Sequence, residues 1–193
     1  SCLSQLDLKV ASKKKGTAMI EFATSLDNVP WCDDYERMVS GILSHVADYG
    51  KMLQQMLDDI GKGSYIEPPF NIEYGCNISI GESFYSNFNL MILDCGVVTI
   101  GNRIMFGPFV SIFAATHETD VQCRRDGVEY AKSVAIGDDC WIGGNTAIMP
   151  GVTIGKGCTI GSGNIVTKSI PDSLVAVGSP ARVIKKVDPV SDL

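Results

Sequence analysis

The chain has 193 residues, of which 45% are hydrophobic and 20% charged, so it is long enough for one domain with a buried core. Its formal net charge of −6 argues against a nucleic-acid-binding protein, whose affinity rests on a basic surface facing phosphates. No apolar run approaches the roughly 18 residues of a membrane span, and the N-terminus lacks the ordered regions of a signal peptide. Seven scattered cysteines without a Cys-x-x-Cys pair indicate a reduced, cytoplasmic compartment with thiols used as small apolar side chains.

The N-terminal third contains two segments before any regular repeat begins. Residues 1–30 are polar with little periodicity, which predicts a disordered or extended tail. Residues 31–66 are predicted to form a short helical cap, with Gly61 suited to end its helix. Apolar side chains at helical spacing support the cap: Met52, Met56, Leu57 and Ile60.

A large aliphatic residue then recurs every six residues in "VAIGDDCWIGGNTAIMPGVTIGKGCTIGSGNIVTKS", residues 134–169. A helix needs a period of 3.6 and a strand a period of two, so each hexad is interpreted as one short strand plus one turn. Three hexads form a triangular coil of 18 residues, in which residue i stacks on residue i+18. The aliphatic column is Ile136, Ile142, Ile148, Ile154, Ile160 and Val166, and a companion column is Val134, Cys140, Thr146, Val152, Cys158 and Asn164.

The same spacing occurs earlier in the chain. Ile80, Ser86 and Ile92 are followed, after two extra residues near Cys95, by Ile100, Phe106 and Ile112. Glycine follows many of these aliphatic residues and is expected to relieve corners with unfavourable backbone torsions. An antiparallel sandwich would instead show alternation and irregularly spaced hairpins. The pattern therefore predicts an all-β fold, a parallel β-helix, over residues 67–193.

The repeat lapses between Ile112 and Ile136. Residues 113–133 are polar and are predicted to form a loop that leaves the coil. Long loops without their own core are more often functional than idle. A short C-terminal tail follows Lys186.

These motifs together resemble the hexapeptide-repeat acyltransferases, and within them the maltose and galactoside O-acetyltransferases. The resemblance runs from about Gly61 to Lys186 and rests on "EPPFNIEYGCNISIGESFYSNFN", "TIGNRIMFGPFVSIFAATH", "VAIGDDCWIGG", "MPGVTIG", "GSGNIVTKSIP" and "VGSPARVIK". It implies a left-handed helix and a homotrimer with active sites between subunits. It also implies transfer of an acetyl group from acetyl-CoA to a hydroxyl group, usually of a sugar.

Acetyl transfer to an alcohol needs a base that titrates near neutrality, and imidazole fits that requirement. Of the two histidines, His45 lies in the predicted cap, whereas His117 follows "AAT" at the base of the loop and matches the catalytic histidine of the family. A base also needs an acceptor on its second ring nitrogen. Glu129 matches the acidic partner of the maltose type; the alternative is a solvated loop carboxylate.

Two further residues match the acceptor side of the family site. Asn87, in "YSNFN", matches an asparagine that contacts the acceptor and assists at the reaction centre; alternatively, it satisfies the backbone at a coil corner. Asp94 matches an acidic acceptor-side position. Cys95 stands where the galactoside type has another aspartate.

The coenzyme A positions of the family map onto the C-terminal coils. The basic residues among them suit phosphate groups, and an arginine can bind a phosphate through two nitrogens. Trp141 is expected beside the cofactor or the acceptor, although a packing role fits equally well. The remaining matching positions are Gly144, Ser162, Thr167, Lys168, Arg182 and Lys185.

The helical cap is shorter than in the family, which leaves the acceptor open. The leading hypothesis is an acetyl-CoA-dependent O-acetyltransferase acting on a maltose-, glucose- or galactoside-like sugar. An antibiotic or amine acceptor and a noncatalytic β-helix scaffold are the alternatives. A γ-class carbonic anhydrase shares the fold but needs three histidines around zinc, and the chain has two. No metal, nucleic acid or membrane partner is expected.

Overall fold

A computed structural model describes residues 46–188, and the chain divides into the units Ser1–Met52 and Leu53–Leu193. The predicted tail 1–30, the first part of the cap and His45 lie outside the described residues. Helix α1 spans Val46–Met56. None of the helices in the described part is long and apolar enough to cross a membrane.

Short strands follow α1, most of them two to four residues long, and a second helix, α2 (Val121–Arg125), interrupts them. In chain order the strands are β1 (Asp59–Ile60), β2 (Tyr65–Ile66), β3 (Phe70–Ile72), β4 (Ile78–Ile80), β5 (Tyr85–Ser86), β6 (Leu90–Leu93), β7 (Val98–Ile100), β8 (Met105–Phe106), β9 (Ser111–Phe113), β10 (Ala115–His117), β11 (Glu129–Ala131), β12 (Val134–Ile136), β13 (Trp141–Ile142), β14 (Ala147–Ile148), β15 (Thr153–Ile154), β16 (Thr159–Ile160), β17 (Ile165–Val166), β18 (Leu174–Val177) and β19 (Arg182–Lys186).

Three parallel sheets form the sides of the coil, and neighbouring strands in a sheet come from successive coils. Sheet A has the order β1-β4-β7-β12-β15, sheet B the order β2-β5-β8-β13-β16-β18-β19, and sheet C the order β3-β6-β9-β14-β17. The last strand of sheet B, β19, runs antiparallel to β18. The predicted left-handed parallel β-helix is therefore confirmed.

The two predicted columns form the core of the coil. Ile142 pairs with Ile160 and Ile148 with Val166, each 18 positions apart as predicted. All twelve column residues between 134 and 166 are buried, including the free thiols of Cys140 and Cys158. Because each strand is too short to bury an aliphatic side chain alone, stacking of the coils supplies the hydrophobic stabilisation.

The N-terminal coils are longer than 18 residues, and their extra residues lie at one corner, where sheet C gives way to sheet A. Ile72 pairs with Ile92 and Ile78 with Val98, 20 positions apart in both pairs. In the third coil, β9 ends at Phe113 and β12 begins at Val134, so the whole predicted loop lies at the same corner. We call residues 73–77, 93–97 and 113–133 together the insertion corner.

The first coil begins N-terminal to the predicted domain boundary at residue 67. Strands β1 and β2 pair with β4 and β5, so Ile60, Ile66 and Ile72 extend the aliphatic column backwards. The two-residue insertion after Ile72 hides this continuation in the sequence. Residues 59–66 thus belong to the β-helix and not to a helical cap.

The glycines that follow the aliphatic column are required for a reason other than the expected relief of backbone torsion. Gly137 and Gly143 lie outside the left-handed backbone region, which is occupied at coil corners by residues such as Arg103 and Asp139. A Cβ atom on Gly143 would lie 2.5 Å from the backbone nitrogen of Ser162 in the next coil. Close approach of stacked coils, and not torsion, therefore requires glycine there.

Candidate active site

His117 and Glu129 face each other across the antiparallel pair β10–β11 of the extruded loop. The Nε2 atom of His117 lies 3.8 Å from Oε1 of Glu129. The two side chains are 58% and 48% exposed, so water screens the attraction between them. The structure thus brings together the predicted base and its predicted acidic partner.

The second ring nitrogen of His117 contacts the protein backbone. Its Nδ1 atom lies 3.4 Å from the carbonyl oxygen of Val128, a long and weak hydrogen bond. A carbonyl can only accept, so Nδ1 carries the proton in this contact and Nε2 of the neutral ring is free to take one up. Glu129 faces that Nε2 atom. The arrangement differs from the expected one, because the Val128 carbonyl contacts Nδ1 and the Glu129 carboxylate faces Nε2.

The segment directly after His117 is held by its own hydrogen bonds. Asp120 caps α2 by accepting a bond of 2.9 Å from the backbone nitrogen of Cys123, and this bond lowers the pKa of the Asp120 carboxyl. Arg124 donates through Nη1 to the carbonyl oxygens of Glu118 and Thr119, at 2.9 and 2.7 Å. These contacts order the loop beside the histidine.

A cleft of about 370 Å³ lies at the insertion corner. Its wall is formed by all three insertions, and Glu129 belongs both to this wall and to the hairpin that carries His117. The stacking of segments far apart in sequence therefore creates a concave surface beside the candidate base. The lining residues are Tyr74, Cys76, Asn77, Cys95, Glu129, Tyr130 and Ala131.

Carboxylates dominate the electrostatics of this cleft. The Cys95 thiol donates to Oε2 of Glu73 at 3.0 Å, and this bond raises the pKa of Cys95 to about 11. The charge of Glu73 also raises the pKa of the Tyr74 hydroxyl, with smaller contributions from Cys95 and Glu129. The contact between Glu73 and Cys95 was not predicted, because it joins two insertions whose register the sequence does not reveal.

Asp94 is fully buried beneath the cleft. Its Oδ1 accepts from the backbone nitrogens of Glu73 and Tyr74, at 3.2 and 2.9 Å, and its Oδ2 accepts from that of Gly75 at 2.7 Å. Both oxygens are therefore engaged by the turn of the preceding coil. This geometry favours a structural role for Asp94 over the acceptor contact implied by the resemblance.

Asn87 follows β5 and is half-buried. Its Oδ1 accepts a bond of 2.8 Å from the backbone nitrogen of Phe88, and its own backbone nitrogen donates to Phe106 at 3.0 Å. Within residues 46–188, its Nδ2 has no hydrogen-bond partner. The Oδ1 atom thus accepts the backbone N–H at the coil corner, and the Nδ2 atom is left as a donor for a ligand.

The predicted cofactor residues lie on the C-terminal coils. Gly144 and Ser162 belong to neighbouring coils, which are joined by a 2.8 Å bond from the nitrogen of Gly163 to the oxygen of Gly144. Trp141 is exposed on sheet B, the same sheet that ends with β19.

The basic members of this set are also exposed. Arg182 and Lys185 lie on β19, opposite Val177 and Val175 of β18. Thr167 and Lys168 follow β17. The backbone nitrogen of Ala181, just before β19, donates a 2.8 Å bond to the carbonyl oxygen of Ile165 in β17. The C-terminal coils thus carry a basic edge.

Comparison with known proteins identifies the fold and its relatives. The model of the family described as bacterial transferase hexapeptide (six repeats) matches residues 133–168. The galactoside O-acetyltransferase of Escherichia coli (strain K12) is 41% identical over 145 residues, which are 75% of this chain and 71% of that protein.

Two solved structures superpose on nearly the whole chain. A galactoside acetyltransferase in complex with coenzyme A has a TM-score of 0.73 and 32% identity, covering 97% of this chain and 86% of that one. A maltose O-acetyltransferase from Clostridium difficile 630 has a TM-score of 0.72 and 36% identity, covering 95% and 90%.

Proposed function

Since this chain belongs to the hexapeptide-repeat acetyltransferases of the galactoside and maltose O-acetyltransferase type, we propose that it moves an acetyl group from acetyl-CoA to a sugar hydroxyl. The observation that carries the proposal is the position of His117, opposite Glu129 and beside the cleft of the insertion corner. A relative that binds coenzyme A and relatives that acetylate galactosides and maltose support it.

The chemistry follows from the ring orientation of His117. Nε2 accepts the proton of the acceptor hydroxyl while the oxygen attacks the thioester carbonyl, and the Val128 carbonyl keeps the other proton on Nδ1. Glu129, 3.8 Å from Nε2, stabilises the imidazolium that forms. Collapse of the tetrahedral intermediate then releases the coenzyme A thiolate, which receives the proton from Nε2.

The acceptor would occupy the cleft. Asn87 follows β5 at the corner between sheets B and C, outside the wall of this cleft, so its Nδ2 donor would reach the acceptor or the developing oxyanion across a contact between subunits. Acetyl-CoA would lie along the C-terminal coils, with its phosphates on Lys168, Arg182 and Lys185. Its pantetheine arm would run past Trp141. Gly144, Ser162 and Thr167 complete this proposed cofactor surface.

We further propose that the protein is a cytoplasmic homotrimer. Tyr85, Met105 and Trp141 stack in neighbouring strands of sheet B with exposed side chains, and Phe88 and Phe109 add an exposed aromatic pair with ring centroids 6.0 Å apart. Such an apolar surface is typical of a contact between subunits. Free thiols at all five cysteines in the described range suit a reducing compartment.

A cationic acceptor is the second candidate, and the charge of the cleft favours it. Glu129 lines the cleft and Glu73 borders it, whereas no lysine or arginine belongs to its wall within residues 46–188. A hydroxyl acceptor that also carries an ammonium group, such as an amino sugar, would therefore bind with favourable electrostatics.

An acceptor screen tests the proposal directly. Purified full-length protein is incubated with acetyl-CoA and glucose, maltose, a galactoside, glucosamine, a simple alcohol or a chloramphenicol-like alcohol, and released coenzyme A is measured. Acetylation of a neutral sugar that disappears in His117→Ala supports the proposal. Turnover of the amino sugar alone would favour the cationic acceptor. Coenzyme A binding without turnover of any acceptor would indicate a noncatalytic scaffold.

A further inference from the structure

Two cysteines belong to the wall of the cleft, and neither has a role in the proposed reaction. Cys76 is exposed and Cys95 is half-buried, and both are free thiols. They come from the first and second insertions of the insertion corner. Such a pair in one small cleft differs from the buried Cys140 and Cys158, whose side chains fill the core column.

The register of the coils brings the two cysteines close together. Strands on both sides of the insertions pair 20 positions apart, Ile72 with Ile92 and Ile78 with Val98. Extending this spacing across the turns aligns Gly75 with Cys95 and Cys76 with Gly96. Neighbouring coils are about 4.8 Å apart, so residues one position out of register have Cα atoms roughly 6 Å apart, within the range that a disulfide spans.

Hydrogen bonds of Asp94 hold the two turns against each other. Asp94, adjacent to Cys95, accepts from the nitrogen of Gly75 at 2.7 Å, and its carbonyl oxygen accepts from Nδ2 of Asn77 at 2.7 Å. Both cysteines line the same cleft, so their side chains border one shared space.

We propose that Cys76 and Cys95 form a reversible disulfide when the protein meets a peroxide, and that this disulfide blocks acceptor binding in the cleft. The first part stands on the register and on the shared cleft. The second part rests on the proposed function, because it assumes that the acceptor binds there.

The bond forms in two balanced steps. The exposed Cys76 thiolate attacks hydrogen peroxide, the O–O bond breaks, and a sulfenic acid forms at Cys76 with loss of water after proton transfer. Cys95 then attacks the Cys76 sulfur, its proton passes through Glu73 to the departing hydroxide, and a second water leaves. In total, two thiols and one peroxide give one disulfide and two waters.

The contact of Cys95 with Glu73 assigns these roles. It keeps Cys95 protonated, with its pKa at about 11, so Cys76 is the thiol that reacts first. Disulfide formation removes the Cys95 thiol from Glu73 and draws the 73–77 and 93–97 turns together. Both changes alter the wall of the cleft, to which Glu129 also belongs.

Peroxide titration of the full-length protein tests both parts. Digestion without reduction, followed by mass spectrometry, should reveal a peptide pair joined through Cys76 and Cys95 that disappears after dithiothreitol. Acetyl transfer should fall about tenfold or more over the same peroxide range and recover on reduction, because small displacements at a site have large kinetic effects. Coenzyme A affinity should stay constant.

Three variants supply the controls. Cys76→Ser and Cys95→Ser should each keep, after peroxide, the activity that they show when reduced. Cys123→Ser, which alters a thiol on α2 outside the cleft, should respond as the unaltered chain does.

Two results would overturn the proposal. Absence of the linked peptide, with over-oxidation or other pairings in its place, would disprove the pair whether or not the enzyme transfers acetyl groups. Complete linkage with unchanged transfer would disprove the block. If no acceptor is turned over at all, the linked peptide still decides the first part.

Discussion

The regular coils between residues 134 and 166 and the insertion corner are built on the same sheets but differ in almost every physical respect. In the regular coils every sixth side chain is buried and paired residues lie 18 positions apart. At the insertion corner the coils lengthen, side chains are exposed, and a cleft opens. The regular part thus supplies stability and the proposed cofactor surface, whereas the irregular corner carries the proposed catalytic groups. The repeat holds the insertions in register with one another.

Removal of the imidazole at the insertion corner should have the largest effect on activity. His117→Ala should lower kcat by roughly 10²–10⁴ while coenzyme A affinity stays nearly unchanged, because the base acts only in the transition state. Steady-state kinetics and calorimetric titration with coenzyme A measure the two quantities. Arg125→Ala, on the same loop, should leave both unchanged. Equal losses in the two variants would mean that the loop matters only structurally.

Truncation of an aliphatic side chain in the regular coils should reduce stability instead. Ile142 is fully buried, so Ile142→Ala should lower the free energy of unfolding by about 2–5 kcal/mol through lost burial and a cavity. Val121 on α2 is exposed, and Val121→Ala should change the free energy of unfolding by less than about 0.5 kcal/mol. Urea unfolding at one protein concentration compares them. Similar losses at both positions would contradict the contrast between the regions.

The sequence predicts the regular coils better than the insertion corner for a physical reason. A period of six repeated without interruption from Ile136 to Val166 has one packing solution, so the core columns are visible in advance. The first coil, with Ile60 and Ile66, was missed because an insertion breaks the period after Ile72.

The cleft could not be predicted at all. Its wall joins three segments far apart in the chain, and their alignment depends on the number of residues in each coil. His117 and Glu129 were identified through the resemblance, but the contact with the Val128 carbonyl has no side-chain signature. Asp94 was linked to the acceptor by its motif, although its burial supports a structural role.

Replacement of the carboxylate that binds Cys95 should change its reactivity. Glu73→Gln replaces the carboxylate whose hydrogen bond, and to a smaller extent whose charge, raises the pKa of Cys95, so this pKa falls from about 11 toward the ordinary 9.0 of a thiol. At pH 8.5 the thiolate fraction then rises, by up to about a hundredfold. Iodoacetamide labelling followed by mass spectrometry gives the rate, with Cys76 as internal reference. Unchanged labelling of Cys95 would show that the hydrogen bond does not form in solution.

Asp94→Asn distinguishes a structural role from an acceptor contact. The amide replaces one oxygen by a donor, so at least one backbone N–H of the 73–75 turn loses its acceptor. The free energy of unfolding should fall by about 1–3 kcal/mol. Thermal unfolding and the acceptor KM are measured together. Unchanged stability with a raised KM would restore the acceptor contact.

The smallest effect is expected at Glu129, where exposure limits the electrostatic contribution. The pair with His117 is 3.8 Å long and both side chains are about half-exposed, so water screens most of the attraction. Glu129→Gln should therefore lower kcat by less than about tenfold. It should leave the tautomer intact, because the Val128 carbonyl holds Nδ1.

A loss as large as that of His117→Ala would mean that Glu129 orients the ring, as in a buried triad. The charge of this carboxylate would then be desolvated by an acceptor or a neighbouring subunit. Measuring kcat of the unaltered chain at high salt separates an exposed pair from a desolvated one. Salt weakens the attraction between exposed charges and has little effect on charges that are removed from water.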